Sequence, residues 1–322
     1  MTSRYPRAPL ERLKRISIEE RGGLVRIEDF VEAEDPGSAY ERLMRIVPDI
    51  LAGHDFRAAV SAVAEAARED RGVVVMYGGH LVKCGLSRLL IDLMERGVVT
   101  AVATNGAGAI HDFELARWGV TSEDVAERIV DGSFGMCRDT ADLMNAAACG
   151  ARDDDLGLGE GLGRALDDAP HADASILAAA FRLGLPATVH VGIGTDIIHQ
   201  HPSADGAALG ETSLTDFRIL AEAVRGLDGG CVVNIGSAVV LPEVFLKAVS
   251  VARNLGVDEP GFTAISMDMN APYRVSANVV GRPTAESGMG IALRGRHELL
   301  VPLFWAGVVR ERAGAGAARK AG

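Results

Sequence analysis

Four times along this chain a short apolar run ends in a glycine turn, and in most cases the turn opens a stretch with helical spacing; no other feature restricts the fold as much. Val73-Val74-Val75-Met76-Tyr77 leads into Gly78-Gly79-His80, after which Leu81, Leu86, Leu89, Leu90 and Leu93 recur at helical intervals. Val98-Val99-Thr100-Ala101-Val102-Ala103 leads into Thr104-Asn105-Gly106-Ala107-Gly108-Ala109-Ile110-His111-Asp112-Phe113-Glu114, a strand, a turn and the opening of a helix. Ala187-Thr188-Val189-His190-Val191 ends in Gly192-Ile193-Gly194-Thr195-Asp196, and Cys231-Val232-Val233-Asn234-Ile235 ends in Gly236-Ser237-Ala238. A further strand is expected over 262–267 and a last helix over 298–309. Repeated strand–loop–helix alternation implies an α/β fold, Rossmann-like and doubly wound, with a mostly parallel sheet and helices on both faces.

Residues 1–70 read as an N-terminal arm followed by helices, with 1–25 as the arm or a first edge element and breaks near Pro48 and Gly53. The Rossmann-like core occupies 71–310, and the glycine- and alanine-rich tail 311–322 is expected to be disordered. Within the core, 150–171 is rich in glycine and aspartate and reads as an exposed helix-and-loop connection, and Asp173 is placed to cap a helix over 173–183.

A length of 322 residues and 48% hydrophobic content suffice for a sizeable buried core. No apolar run reaches the roughly 18 residues that span a bilayer, and the charged start (Arg4, Arg7, Arg12, Lys14, Arg15) has no apolar signal core, so a soluble, cytoplasmic protein is expected. Cys84, Cys137, Cys149 and Cys231 lie far apart with no CxxC pair, which points to neither a disulfide framework nor a zinc ribbon. A formal charge of −11 argues against nucleic-acid binding, and 5% aromatic residues provide no stacking platform for single strands. The basic residues near the N-terminus read as a solvated arm, and a small-molecule ligand is expected.

In a sheet of this kind the loops after the strands converge on one crevice. His80, His111, His199 and His201 fall after expected strands, whereas His54, His171, His190 and His297 do not. The first set, with Asp112 and Asp196, can surround one ligand, and imidazoles titrating near neutrality suit acid–base work or metal binding. The plainer alternative is separate loop histidines, each hydrogen-bonded locally. His199-Gln200-His201, completed by His80 or His111 and a carboxylate, makes a divalent metal the alternative cofactor, without any standard ligand spacing. The glycine turns suit a dinucleotide across the sheet edge, although none is a full GxGxxG, and Lys83 can reach a phosphate or a substrate anion.

Those loops, in that order, resemble the deoxyhypusine synthase family. The segment from Thr104 to Asp112 is similar to the family's strand-end "TTAGGxEED", Gly194-Thr195-Asp196 to its "LTDG", 232–240 to its "IILGGGVVKH" and 73–85 to its "YTSNLISSG", so that the resemblance covers about 70–305. It implies NAD bound at the strand ends by Gly79, His80, Lys83, Asn105, Gly106, Ala107, Asp196, Gly236 and Ala238, and a homotetramer with active sites between paired subunits. His80 and Lys83 replace an asparagine and a serine of the family pattern. Members transfer an aminobutyl group from spermidine through an imine on the lysine of a "WGK" motif; the local match here, Ser276-Ala277-Asn278-Val279, has no amine to form one. The "GSDSG" loop matches Met269-Asn270-Ala271-Pro272-Tyr273, the histidine of "VVKH" matches Pro242, His111 matches a glutamate, and His201 falls near a substrate-binding aspartate. Exchanging carboxylates for imidazoles lowers the negative potential, so an anionic or neutral substrate is expected in place of a polycation.

The expectation is therefore a deoxyhypusine synthase-like, NAD-dependent enzyme of transferase or oxidoreductase type, acting on a small amine or alcohol and not a true deoxyhypusine synthase. Its catalytic set comprises His111, Asp112, His199, His201 and Lys83, with His111 or His201 as base, Asp112 or Asp196 orienting it, and Lys83 anchoring an anion. A metal among His80, His111, His199 and His201, or a non-catalytic nucleotide-binding homologue, are the alternatives.

Overall fold

Val73–Tyr77 is buried at every position, as a strand covered on both faces must be. The computed structural model describes residues 8–256 and 261–319. Among these the strands are β1 (Val25–Arg26), β2 (Val73–Tyr77), β3 (Ala101–Asn105), β4 (Val120–Thr121), β5 (Ala187–His190), β6 (Cys231–Ile235), β7 (Thr263–Asp268) and β8 (Met289–Arg294). One parallel sheet is built in the order β5-β3-β2-β6-β7-β8, and β1 pairs with β4 in a small antiparallel ribbon apart from it. The chain moves outward from β2 through β3 to β5, returns to the other side of β2, and continues through β6, β7 and β8. Numbered from the first core strand this is the dinucleotide-fold order 3-2-1-4-5-6, whose direction reverses between β2 and β6. These two strands pair with Val75 opposite Val233 and Tyr77 opposite Ile235.

Alternation along β2 divides the interior into two layers. Val73, Val75 and Tyr77 join the layer under the helices Leu51–Arg68, Ser87–Glu95, Ile176–Leu183 and His297–Arg319. Val74 and Met76 join the layer under Gly206–Arg225 and Val240–Asn254, where Phe245 meets Phe262 edge-on at 5.9 Å. The fold is thus the doubly wound, Rossmann-like α/β class that the alternation implies.

The structure departs from the sequence reading in four places. Segment 150–171 is not an exposed connection: Leu158, Leu162 and Leu166 on the helix Leu158–Leu166 are buried. Its glycines serve close packing, since a Cβ on Gly159 would stand 2.1 Å from the carbonyl of Ala187, and one on Gly163 would stand 2.6 Å from that of Leu177. Ser175, not Asp173, caps the helix Ile176–Leu183 by accepting from the amide of Ala178, while Asp173 pairs with Arg88 at 2.8 Å. β8 was not expected; it is an edge strand buried only at Ile291 and Leu293. The closing helix continues to Arg319 through most of the tail expected to be disordered, and 320–322 lie outside the described residues. Among the described residues no helix is long and apolar enough to cross a membrane.

Candidate functional site

At the carboxyl end of β3 the Asn105 side chain accepts the amide of Gly108 at 2.9 Å and starts the helix Gly106–Trp118. Helical spacing then puts Ala107, His111 and Glu114 on one face, and that face borders a cavity of about 220 Å³. Arg21 from the N-terminal arm, Lys83 from the end of the helix Gly79–Lys83, Ser122 and Glu123 after β4, and Thr195 and Asp196 after β5 complete its polar lining.

Arg21 and Glu114 form a bidentate pair at 2.7 and 3.0 Å, with both side chains 1% exposed. The hydroxyls of Thr121 and Thr140 donate to the same carboxylate at 2.6 and 2.8 Å. Because the hydroxyl proton of Thr121 is committed to Glu114, its oxygen accepts from Nδ1 of His111 at 2.8 Å. That bond sets the tautomer, with the proton on Nδ1 and the lone pair on Nε2. Burial lowers the His111 pKa to about 4, so the ring is neutral at physiological pH. The Cδ2 edge next to Nε2 lies against Gly79, where a Cβ would come within 2.8 Å.

Asp196 is buried, and desolvation pushes its carboxyl up to about 6. Its Oδ2 has no hydrogen-bond partner among the described residues and rests on Gly106, where a Cβ would stand only 2.0 Å away. Nε2 of His199 is 3.9 Å off, beyond hydrogen-bond reach. Glu123 accepts the amide of Gly135 at 3.1 Å through Oε1, while its buried Oε2 is unpartnered and burial raises its pKa. Lys83 is exposed and has no ion-pair partner among the described residues. The cavity thus combines a saturated ion pair, two unpartnered carboxylate oxygens, a neutral imidazole and a free ammonium. The lining carries the carboxylates of Glu114, Glu123 and Asp196 beside the imidazole of His111.

Of the residues singled out from sequence, the cavity unites Lys83, Ala107, His111 and Asp196. Gly79, His80, Asn105, Gly106, Gly236 and Ala238 lie at the carboxyl ends of β2, β3 and β6 and do not line it. Asp112 lies elsewhere: its buried carboxylate accepts the Ser175 hydroxyl at 2.5 Å and the amides of Ile176 and Leu177 at 2.8 and 3.2 Å, capping the helix Ile176–Leu183. His199 accepts the amides of Gly194 and Asp196 through Nδ1, and the buried His201 bonds the Gly135 carbonyl through Nε2 at 2.8 Å. Both border a second, more open cavity of about 540 Å³ with Leu10 and Ile193. The four histidines therefore do not gather around one ion.

Several site residues escaped the sequence reading. His297 is buried three residues beyond β8, its Nε2 bonds the Met267 carbonyl at 3.1 Å, and its ring lies 5.2 Å from that of His80. The alternation of Ile291 and Leu293 was the available signal for β8 and hence for His297. Arg21, Thr121 and Glu123 carry no local signal; Arg21 in particular belongs to the arm expected to be solvated.

No known protein family matches the chain, and no curated protein matches it in sequence. Solved structures match in fold. Unliganded AgrE aligns at 13% identity and a TM-score of 0.51 over 79% of this chain and 32% of its own. ArgZ, an arginine dihydrolase of the ornithine–ammonia cycle in Cyanobacteria, aligns at 17% identity and a TM-score of 0.47 over 80% and 32%. A candidate deoxyhypusine synthase from Entamoeba histolytica aligns at 11% identity and a TM-score of 0.49 over 87% and 97%. This chain thus corresponds to about a third of the length of AgrE and ArgZ, 32% in each case. At such identity the likeness to AgrE concerns the fold alone, and it agrees with the Rossmann-like class read from the strand order.

Proposed function

We propose that this protein is a NAD-dependent enzyme acting on a small amine that also carries an anionic group. The observation behind this reading is the reversal of strand order between β2 and β6, beside the cavity of Asp196, His111 and Lys83. The crevice at the reversal is bounded by glycine backbone: a Cβ on Gly78 would approach the Gly236 carbonyl to 2.8 Å, and Gly236 itself has φ of +68°. Glycines at these turns carry no side chain, which a pyrophosphate held against the backbone requires, so the residues present are compatible with the dinucleotide. When bound, NAD supplies the hydride acceptor.

The chain's own groups then divide the remaining work. The unpartnered oxygens of Asp196 and Glu123 receive an ammonium group, which satisfies two buried acceptors at once. An ammonium must lose a proton before a hydride leaves the neighbouring carbon, and Asp196, with a pKa of about 6, is poised to hold that proton near neutrality. His111 presents a neutral Nε2 as an acceptor beside Gly79, and Lys83 pairs with the anionic end of the substrate. This reading excludes deoxyhypusine synthesis. In the segment matching the family's lysine motif, Val279 has no amine, and the neighbouring Asn278 donates to Glu243 at 2.8 Å and accepts from Arg282 at 2.6 Å.

Isothermal titration with NAD, and native mass spectrometry of the same sample, test the proposal and the homotetramer that belongs to it. Stoichiometric NAD binding by the parent is the expected result, and its loss in Gly236→Ala is the variant test. NAD reduction by a panel of small amino acids, abolished in Asp196→Asn, is expected to follow. No NAD binding at millimolar concentration would overturn the assignment.

A further inference from the structure

Three donor atoms from two helices converge outside the cavity, at the carboxyl edge of the sheet. His80 and Cys84 are one helical turn apart, so both side chains project from the same face, and His80 Nε2 lies 3.4 Å from Cys84 Sγ. Glu298, in the first turn of the helix His297–Arg319, brings Oε2 to 3.9 Å from the same sulfur. All three atoms lie within 4.8 Å of one another. A tetrahedral zinc ion bonded to sulfur at about 2.3 Å and to nitrogen or oxygen at about 2.0–2.2 Å places its ligand atoms roughly 3.5 Å apart. The His80–Cys84 and Cys84–Glu298 separations of 3.4 and 3.9 Å lie near that value, and the third pair is within 4.8 Å.

We propose that His80 Nε2, Cys84 Sγ and Glu298 Oε2 bind a divalent transition ion of the zinc class, with the fourth position open to water or a ligand. The donor set fixes the class: a thiolate with an imidazole selects zinc-like ions, whereas magnesium and calcium take oxygen ligands alone. Three protein ligands with one open position is the arrangement of reactive rather than structural zinc sites. Both ligand-bearing segments are anchored. The amide of Cys84 bonds the carbonyl of His80 at 3.0 Å, and His297, adjacent to Glu298, is buried with its Nε2 on the Met267 carbonyl at 3.1 Å. Such support holds ligands in place before the ion arrives. This set shares only His80 with the four-histidine arrangement considered from sequence and draws on no residue of the cavity. It stands without the dinucleotide reading, except that His80 then serves the ion.

Titration of the purified, chelator-stripped protein with Co²⁺ tests the site, because a cobalt–thiolate bond gives a near-ultraviolet charge-transfer absorption that no carboxylate or imidazole produces. One equivalent of Co²⁺ is expected to generate that band together with intense tetrahedral visible bands, and Zn²⁺ is expected to displace both. Cys84→Ser abolishes the thiolate band, His80→Ala and Glu298→Gln weaken Co²⁺ affinity at least about tenfold, and Cys149→Ser, on the helix Arg138–Asp153, leaves all signals intact. Circular dichroism establishes that each variant is folded. A parent protein without the band, or a Cys84→Ser protein that keeps it, overturns the site. NAD titration of the same variants separates the two proposals, since Cys84→Ser and Glu298→Gln retain NAD binding if the dinucleotide reading holds.

Discussion

His111 donates through Nδ1 to the hydroxyl of Thr121 at 2.8 Å, and that hydroxyl in turn donates to Glu114 at 2.6 Å. Arg21 closes the chain on the far side of that carboxylate. An ion pair formed by residues 93 positions apart thereby decides which nitrogen of the imidazole faces the cavity.

The first consequence is spectroscopic. Nitrogen chemical shifts of His111 should report the Nδ1–H tautomer and a neutral ring from pH 8 to pH 5, with protonation only near pH 4. Thr121→Val should release this restraint and populate the other tautomer. A His111 that titrates near 6.5 in the parent would contradict the chain of bonds.

Removal of Arg21 should be far more damaging than its place in an N-terminal arm implies. Arg21→Ala leaves the Glu114 carboxylate buried without its counter-charge, and urea unfolding should show a loss of about 3–5 kcal/mol. A loss below about 1 kcal/mol would mean that water replaces the guanidinium and that the arm is loosely held.

The two aspartates should separate by role. Asp112→Ala strips a charged acceptor from the start of the helix Ile176–Leu183 and should cost about 2–3 kcal/mol of stability, with NAD affinity unchanged. Loss of turnover in this variant at full stability would instead return Asp112 to the catalytic set.

Asp196 should reveal itself through pH. Its folded pKa of about 6 lies above the roughly 3.9 of a free aspartate. Between those values the folded state binds more protons than the unfolded state, so the Asp196 contribution to stability falls as pH rises through the window. Asp196→Asn lacks this penalty. It should match the parent near pH 4 and exceed it at pH 7 by up to about 3 kcal/mol, as read by urea denaturation at the two pH values. Equal pH dependence in both proteins would place the Asp196 pKa at its ordinary value.

At the crevice, Gly236→Ala should lower the melting temperature and abolish NAD binding. The substitution forces alanine into a left-handed conformation with its Cβ 2.5 Å from Cε1 of His297. A stable variant with intact NAD affinity would show that the loop can relax and that the dinucleotide lies elsewhere.

Legibility followed burial. The central strands β2, β3, β5 and β6 are covered on both faces, so their apolar runs stand out in the chain. β8 is an edge strand buried on one face only, and β4 has two residues; neither leaves a comparable mark, although β8 delivers His297 and β4 delivers Thr121. His111, Lys83 and Asp196, all in loops or opening turns after the strands, border one cavity because a parallel sheet gathers those loops at one edge. The same rule could not tell a loop histidine that enters the cavity from His199 and His201, which bond local backbone.

From its sequence alone this protein was committed to an α/β architecture with its glycine turns gathered at the strand ends, since hydrophobic periodicity and turn chemistry are local properties written residue by residue. Only the tertiary structure decided which charges are spent and which are free. Glu114 is neutralised by Arg21 and Asp112 is absorbed into a helix cap, while Asp196 is left buried with an unpartnered oxygen. The reason is physical: desolvation and pairing depend on groups that folding brings together from distant parts of the chain, and they set both the pKa of a side chain and its availability to a ligand.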